Sequence, residues 1–472
     1  MKIGNTILHN HKKKIGRLKD LWLLLVDPKN FIIPETIDEF KQFGIFAPRI
    51  KIEPYGECFF NEKSRNCLKD FTNTIYEIPD IKDSTSYNFI YRTVKSFIER
   101  AILKQLKHSM KPDPKENIAG IIQELINGQG RYQFFRIIQG IKLEGLESLM
   151  MGNVEIFVFT DVYEKELIEY CEHKVNRLIG DSVVPFVKKN FLERVCIRTV
   201  AVGEEIRARE IATKTFEQVI NILRFIVCLL RPETLYDNRV KINLLAESYN
   251  ASENTIAINL DDKGISLSLG MSRKALVDLT IDAELLKELN DNCFLGDLLS
   301  ILKNHKKTEL EGNILTSIYW IGEAQNDFVY ESAFIKYWTA LETIFTFKEK
   351  VETKYPGKPK SLRITESLAR GIAVFLVFGG YQFIKINGIE EVHKKVTKLY
   401  KKRGRVIHRG IYDTITPTEL IEVCKYAVWS VLTCLELRAM GYKKLNEIRN
   451  ETNRLYEASR SHPRSRNKKT RT

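Results

Sequence analysis

The stretch TPTELIEVCKYAVWSVLTCLELRAMG, residues 416–441, decides the fold class of the C-terminal part of this chain. Thr416, Pro417 and Glu419 predict the start of a helix, because a threonine N-cap, a first-turn proline and a glutamate three residues on form a capping box. The apolar residues that follow recur at helical spacing, and Gly441 predicts the end. We therefore predict one long helix that packs within a helical bundle.

Earlier segments with the same apolar period extend this bundle. Residues 315–324, 333–347 and 364–378 are predicted helices, and a basic helix begins at about Glu391. Within the second segment, five apolar residues share one face: Phe334, Trp338, Leu341, Ile344 and Phe345. Glu342 lies beside that face and is interpreted as an ordinary surface acid.

The residues before the bundle predict a mixed region of strands and helices. Short apolar bursts between turn residues over 1–85 favour short strands or loops, whereas 86–185 has longer helical periodicity, broken by a loop at 111–114. Four segments are assigned from their spacing and composition: strands at 154–159 and 195–202, a helix at 204–230 and a hairpin at 256–269.

Together these segments predict an α+β fold that is mainly α. Residues 1–283 form a mixed α/β region with a sensor or regulatory role, and residues 284–445 form an antiparallel helical bundle. Residues 446–472 are predicted to be a basic, disordered tail, since no acid and no large apolar residue occurs from Ser459 onward.

The charge of the chain is locally concentrated. The 472 residues carry a formal net charge of +14, which favours a polyanionic partner such as nucleic acid. Residues 392–412 hold eight Lys and Arg without an acid, and residues 459–472 hold six without an acid. We therefore expect one basic helix and one basic tail to contribute salt-sensitive affinity for RNA.

Membrane insertion and secretion are not expected. The longest uncharged apolar stretch, residues 371–384, is shorter than the about 18–20 residues that span a bilayer. The apolar run at 21–26 is shorter than the about 7–15 residues of a signal-peptide core. Eight cysteines without paired spacing are typical of a reducing compartment. The sequence predicts a cytoplasmic protein with no membrane partner, no cofactor and no metal site.

Residues 403–408, Arg-Gly-Arg-Val-Ile-His, place an imidazole among cations on the predicted basic helix. His408 can give and take a proton near physiological pH, which suits a general base. Arg403 presents several N–H donors that can stabilise charge on a phosphoryl group. With RNA the substrate's own 2′-OH can be the nucleophile, so this chemistry needs no metal. The surrounding cations expected to bind phosphate are Lys401, Lys402, Arg405 and Arg409.

The spacing of the two candidate catalytic residues restricts how they can cooperate. On a regular helix, five residues separate two side chains by about 140°, so Arg403 and His408 of one chain do not face one phosphate. Either the helix deforms at Gly404, which weakens a helix interior by about 1 kcal/mol, or a two-fold dimer brings the pairs of two chains into one cleft. A basic helix is also typical of a solvated surface without chemistry.

The Arg-x4-His motif, with Leu399-Tyr400 before it and Gly410 after it, resembles the motif of HEPN domains, specifically the Apea-like HEPN group. Segments 320–324 and 338–345 are similar to the earlier helices of that group. The resemblance covers about residues 285–445, roughly a third of the chain. It departs from the group at Gly404, where a polar residue is common, and at Arg409, an extra residue between His408 and Gly410.

The resemblance implies a function that residue chemistry alone leaves open. It implies an antiparallel helical bundle, a homodimer with a composite site and metal-independent endoribonuclease activity, in members that are often prokaryotic toxins or anti-phage effectors. His408 would then act as the base, and Arg403, aided by Arg405, would stabilise the transition state. The alternative is a non-catalytic HEPN module that binds RNA or nucleotide and mediates dimerisation. Under either hypothesis, the N-terminal region would respond to a phage-derived or cellular trigger.

Overall fold

A computed structural model describes fourteen stretches of the chain: residues 10–34, 48–52, 56–174, 177–230, 241–244, 255–259, 264–268, 278–291, 294–304, 306–327, 329–346, 364–379, 388–409 and 415–461. The chain divides into two compact units. The first comprises Met1–Phe134, Val200–Thr213 and Ala257–Ser266, and the second comprises Phe135–Thr199, Lys214–Ile256 and Leu267–Thr472.

The N-terminal part of the first unit combines helices with a small sheet. Its elements are α1 (Lys12–Leu25), β1 (Phe31–Ile32), β2 (Arg49–Ile52), β3 (Gly56–Phe60), α2 (Glu62–Tyr76), α3 (Pro79–Lys82), α4 (Tyr87–His108) and α5 (Pro114–Asn127). The three strands pair antiparallel in the order β1-β3-β2. An apolar core that includes Trp22, Phe71 and Ile98 joins the helices to the sheet.

The expectation of only strands and loops over residues 1–85 was wrong, because α1 and α2 are helices of fourteen and fifteen residues. The apolar residues of α1 recur every three or four positions, and Ile15, Leu18 and Trp22 are buried on one face. Asn61 caps α2, since its side chain accepts a hydrogen bond from the Ser64 N–H at 2.9 Å. Helical spacing in short bursts was therefore mistaken for strand structure.

Most of the strands lie between residues 130 and 281. The elements are β4 (Gly130–Gln139), β5 (Ile141–Leu143), β6 (Ser148–Met151), β7 (Val154–Val158), α6 (Asp161–Lys174), α7 (Arg177–Phe191), β8 (Val195–Gly203), α8 (Glu205–Leu230), β9 (Asn243–Leu244), β10 (Thr255–Asn259), β11 (Gly264–Ser268) and β12 (Leu279–Ile281). Strand β7 pairs antiparallel with β6 and β8, whereas β12 runs parallel to β5. The predicted strands at 154–159 and 195–202, the helix at 204–230 and the hairpin strands β10 and β11, neighbours in one sheet, are confirmed.

Every described element after residue 283 is a helix. These are α9 (Ala283–Asp291), α10 (Phe294–Lys303), α11 (Glu309–Gln325), α12 (Tyr330–Phe345), α13 (Ile364–Phe378), α14 (Ile389–Arg409), α15 (Pro417–Ala439) and α16 (Leu445–Ser461). The capping box at Thr416 and Glu419 is confirmed. Gly441 follows α15 with φ +97°, a conformation that glycine adopts without strain. The chain thus has the predicted α+β, mainly α fold.

The helices around α12 share one apolar core. Helix α12 packs on α11, α13, α14 and α15, and α13 packs on α14, α15 and α16. The predicted apolar face of α12 is confirmed, since Trp338 and Leu341 are fully buried. This packing places one long side of α14 against the core and leaves the other side in solvent.

Two predicted boundaries differ from the structure. Residues 446–461 are not a disordered tail: they belong to helix α16, in which Ile448 and Tyr456 are buried, and only residues 462–472 lie outside the described part of the chain. The division into units also does not follow the boundary after residue 283. The second unit contains residues from both sides of that boundary. Within it, Arg224 of α8 donates a hydrogen bond to Glu323 of α11 at 3.0 Å.

Candidate functional site

Helix α14 carries all the candidate site residues. It is an uninterrupted α-helix from Ile389 to Arg409, so the first of the two alternatives, a deformation at Gly404, is not observed. A Cβ at that glycine would meet no atom within 4 Å, which shows that Gly404 is not required by a close contact. In such a helix, positions 403 and 408 point about 140° apart.

Arg403 makes a close ion pair with Glu342 of α12. Its guanidinium Nη2 lies 2.9 Å from each oxygen of the Glu342 carboxylate, and the Tyr400 hydroxyl donates to the same carboxylate at 2.7 Å. The Arg403 and Glu342 side chains are only 19% and 22% exposed. The Tyr400 ring packs edge-on against Trp338, with the ring centroids 5.1 Å apart. Arg403 is therefore held on the side of α14 that faces α12.

Glu342 is thus not an ordinary surface acid, and that prediction was wrong. Its carboxylate accepts hydrogen bonds from two residues of α14, one turn apart. Sequence reasoning missed this role because 61 residues separate Glu342 from Arg403. The available signal was a pair of spacings: Trp338 and Glu342 are one turn apart on α12, and Tyr400 and Arg403 are one turn apart on α14.

The electrostatics of this cluster favour a neutral Tyr400 beside the Glu342 carboxylate. Burial and the hydrogen bond to the Glu342 carboxylate raise the pKa of the Tyr400 phenol, so Tyr400 stays a donor. The buried Nε of Arg403 has no hydrogen-bond partner among the described residues. The guanidinium carbon of Arg403 lies 5.5 Å from the centre of the Tyr400 ring. The guanidinium keeps N–H groups that Glu342 does not use.

An ion pair between Lys402 and Glu419 joins α14 to α15. Its Nζ donates to the Glu419 carboxylate at 2.8 Å, and the same carboxylate caps α15 by accepting from the Thr416 N–H at 2.9 Å. Burial alone would raise the pKa of Glu419, but the hydrogen bonds from Lys402 and Thr416 outweigh burial and lower that pKa. Only 14% of the Lys402 side chain is exposed. Lys402, one of the predicted phosphate-binding residues, is thus committed to an intramolecular ion pair.

Four further cations of α14 lie on its outer side. Lys401 and Arg405 are exposed, as predicted for phosphate binding, and so are Lys394 and Lys398, which the predicted site did not include. The side chains of His408 and Arg409 lie outside the described part of the structure, although both residues belong to α14. The structure brings Arg403 to Glu342 and Lys402 to Glu419, and it separates both from the exposed cations.

Comparisons of the chain with protein-family models, with curated proteins and with solved structures found no match. Across the described ranges, no three His, Cys, Asp or Glu side chains are grouped so that they could hold a metal ion. Within those same ranges, none of the helices has the length and apolar character needed to cross a membrane.

Proposed function

We propose that this chain is a metal-independent endoribonuclease of the HEPN type, an anti-phage or toxin-like effector in the cytoplasm that acts as a homodimer. The resemblance of residues 398–410 to the HEPN motif motivates the proposal. The observation that supports it best is the Arg403–Glu342 ion pair, since a guanidinium fixed before substrate binds needs little reorganisation to stabilise a developing negative charge. The N-terminal region would receive the activating phage-derived or cellular signal.

The proposed reaction is transesterification within the RNA chain. His408 takes the proton of a 2′-OH, and the freed oxygen attacks the adjacent phosphorus. Arg403, aided by Arg405, stabilises the phosphorane-like transition state. The bond from phosphorus to the 5′-oxygen breaks, that oxygen takes a proton from water, and His408 returns the proton it took to solvent. The products carry 2′,3′-cyclic phosphate and 5′-OH ends.

The uninterrupted helix supports the proposal of a dimer. Positions 403 and 408 are about 140° apart on α14, so one chain does not aim both groups at one phosphate. In a two-fold dimer, Arg403 of one protomer can lie beside His408 of the partner subunit in a shared cleft. The shared cleft then contains two such pairs, and each pair has one base and one cation, which is the minimum that this chemistry requires.

The test is RNA cleavage by the full chain in excess chelator. Wild type, His408→Ala and His108→Ala are incubated with labelled single-stranded RNA, and product ends are analysed. His108 is an exposed histidine at the end of α4 and serves as the matched control. We expect His408→Ala to lose about 100-fold or more in rate, as for removal of a general base. Equal cleavage by all three proteins, or cleavage only with Mg²⁺, would contradict the mechanism.

A second candidate is a non-catalytic HEPN module that binds RNA or nucleotide and mediates dimerisation. The observation that favours it is again the Arg403–Glu342 pair, because Glu342 already occupies Nη2 of the arginine. Gly404→Asn discriminates between the candidates, since it restores the polar residue common in the family. Activity in the variant, but not in the native protein, would show that the native site only binds.

A further inference from the structure

Three lysines form a row on the outer side of α14. Lys394, Lys398 and Lys401 are exposed and occupy positions i, i+4 and i+7 of the uninterrupted helix. At 100° and 1.5 Å per residue, they fall within an arc of about 60° and rise about 10 Å along the axis. Arg405, which is also exposed, continues the row one turn later. We call the three lysines the lysine row.

The lysine row differs from the other cations of the helix in its partners. Lys395 makes an ion pair with Glu422, and Lys402 makes one with Glu419, so both are neutralised by α15. None of the three lysines of the row makes an ion pair with a described residue. The ion pairs that Lys395 and Lys402 make with α15 therefore do not extend to the lysine row.

This imbalance has an energetic cost in the free protein. Like charges at i and i+4 or i and i+3 destabilise a helix by about 0.2–0.5 kcal/mol per pair, and the lysine row contains two such pairs. A bound polyanion would offset that repulsion. A regular row of cations on a convex helix fits a chain of phosphates, because each helical turn presents one cation to one backbone.

We propose that the lysine row is a track for the phosphate backbone of single-stranded RNA and leads the strand to position 408. The inference rests on the proposed function and adds Lys394 and Lys398 to the residues that bind the substrate. Position 408 falls at i+14 from Lys394, on the same side of a regular helix as the row, whereas Arg403 falls on the opposite side. The row therefore binds the strand beside the cleavage point and does not contact the reacting phosphate.

Single strands are preferred because of the chemistry at position 408. The attacking 2′-oxygen, the phosphorus and the leaving 5′-oxygen must come into line, and an unpaired nucleotide can rotate to that geometry, whereas A-form pairing holds the backbone out of it. The lysine row also reaches only one backbone, and it offers no groups for base recognition. We therefore expect binding without sequence preference and with strong dependence on salt.

The experiment compares the triple variant Lys394→Gln/Lys398→Gln/Lys401→Gln with the triple variant Lys104→Gln/Lys107→Gln/Lys111→Gln. The second set is a matched control, because its three lysines are exposed, lie in the first unit and make no ion pair with a described residue. Both variants lose the same charge in the full-length chain. Affinity for a labelled single-stranded RNA is measured by fluorescence anisotropy across a salt series, and helix content by circular dichroism.

We expect the lysine-row variant to raise Kd at least tenfold and to reduce the slope of log K against log salt by about 2, since each phosphate contact with a single strand contributes about 0.7. The control should stay within twofold of wild type. The proposal would be overturned if the lysine-row variant kept the wild-type affinity for RNA and the wild-type slope of log K against log salt. Equal losses for duplex RNA would overturn the single-strand assignment, and a loss confined to phosphatidylserine vesicles would assign the row to a membrane surface instead.

Cleavage assays separate this inference from the proposed function. If wild type does not cleave RNA but the lysine-row variant loses affinity, the track stands and the nuclease proposal fails. If wild type cleaves RNA and the lysine-row variant has unchanged KM, the track fails and the nuclease proposal stands. With both correct, KM rises in the variant while kcat changes little, because the row contributes equally to ground-state and transition-state binding.

Discussion

Nη2 of Arg403 lies 2.9 Å from both carboxylate oxygens of Glu342, although the two residues are 61 positions apart in the chain. This pair joins the helix that carries the Arg-x4-His motif to the helix that carries the buried face of Trp338 and Leu341. It draws Arg403 toward the protein core, away from the lysine row. A phosphate that reaches Arg403 must therefore use the guanidinium N–H groups left over by Glu342.

Replacing Glu342 should destabilise the protein. In Glu342→Gln the guanidinium of Arg403 keeps its charge in a largely buried place but loses its carboxylate, so we expect the free energy of unfolding to fall by about 1–3 kcal/mol. Urea unfolding measures the change. Glu331→Gln, on the same helix and without an ion pair to a described residue, should stay within about 0.5 kcal/mol of wild type. Equal effects of the two variants would show that the ion pair contributes nothing.

The contribution of the Lys402–Glu419 ion pair to stability should depend on pH. The pKa of Glu419 is lowered in the folded state, so its contribution to stability is complete above the unfolded pKa of about 4.3 and is lost as the pH falls through the folded pKa. We expect Lys402→Gln to lower the free energy of unfolding by about 1 kcal/mol at pH 7 and by less at pH 3. Lys401→Gln, the exposed neighbour, should change the free energy of unfolding by at most about 0.5 kcal/mol at either pH. If Lys402→Gln had the same effect at both pH values, the ion pair with Glu419 would not be what stabilises the protein.

Replacing Gly404 with alanine and replacing Gly371 with alanine should have opposite effects on the stability of the protein. A Cβ at Gly404 meets nothing within 4 Å, so Gly404→Ala should stabilise the protein by about 0.5–1 kcal/mol through helix propensity. A Cβ at Gly371 would lie 2.3 Å from Cδ1 of Phe345, so Gly371→Ala should destabilise it by about 1–3 kcal/mol. Thermal unfolding of both variants measures the difference. Destabilisation by Gly404→Ala would mean that the glycine has a structural role the helix does not reveal.

The helical nature of residues 445–461 can be tested by one core substitution. Ile448 is fully buried, so Ile448→Ala should cost about 2–4 kcal/mol of unfolding free energy by removing packed side-chain volume. Asn450→Ala, at an exposed position of the same helix, should cost less than about 0.5 kcal/mol. If both substitutions proved neutral, the segment would be the unpacked tail that composition alone suggested.

Local patterns predicted the elements whose information lies within one helix or hairpin. The Thr416–Glu419 capping box, the helix at 364–378 and the strand at 154–159 were all identified from neighbouring residues. The N-terminal helices α1 and α2 were missed, since their apolar residues come in bursts too short for period counting to separate helix from strand. The prediction therefore failed where the apolar pattern extends over too few residues to distinguish a helix from a strand.

In the candidate site, too, some features follow from the local sequence and others only from tertiary packing. Sequence determined that the basic residues gather on one helix and that Arg403 and His408 stand five residues apart, because both statements depend only on composition and spacing. Tertiary packing alone decided that Glu342 holds Arg403, that Lys402 is neutralised by Glu419 and that the lysine row stays exposed. The physical reason is that an ion pair across 61 residues is set by which helix faces meet, and helix faces meet where apolar surfaces exclude water rather than where charges occur along the chain.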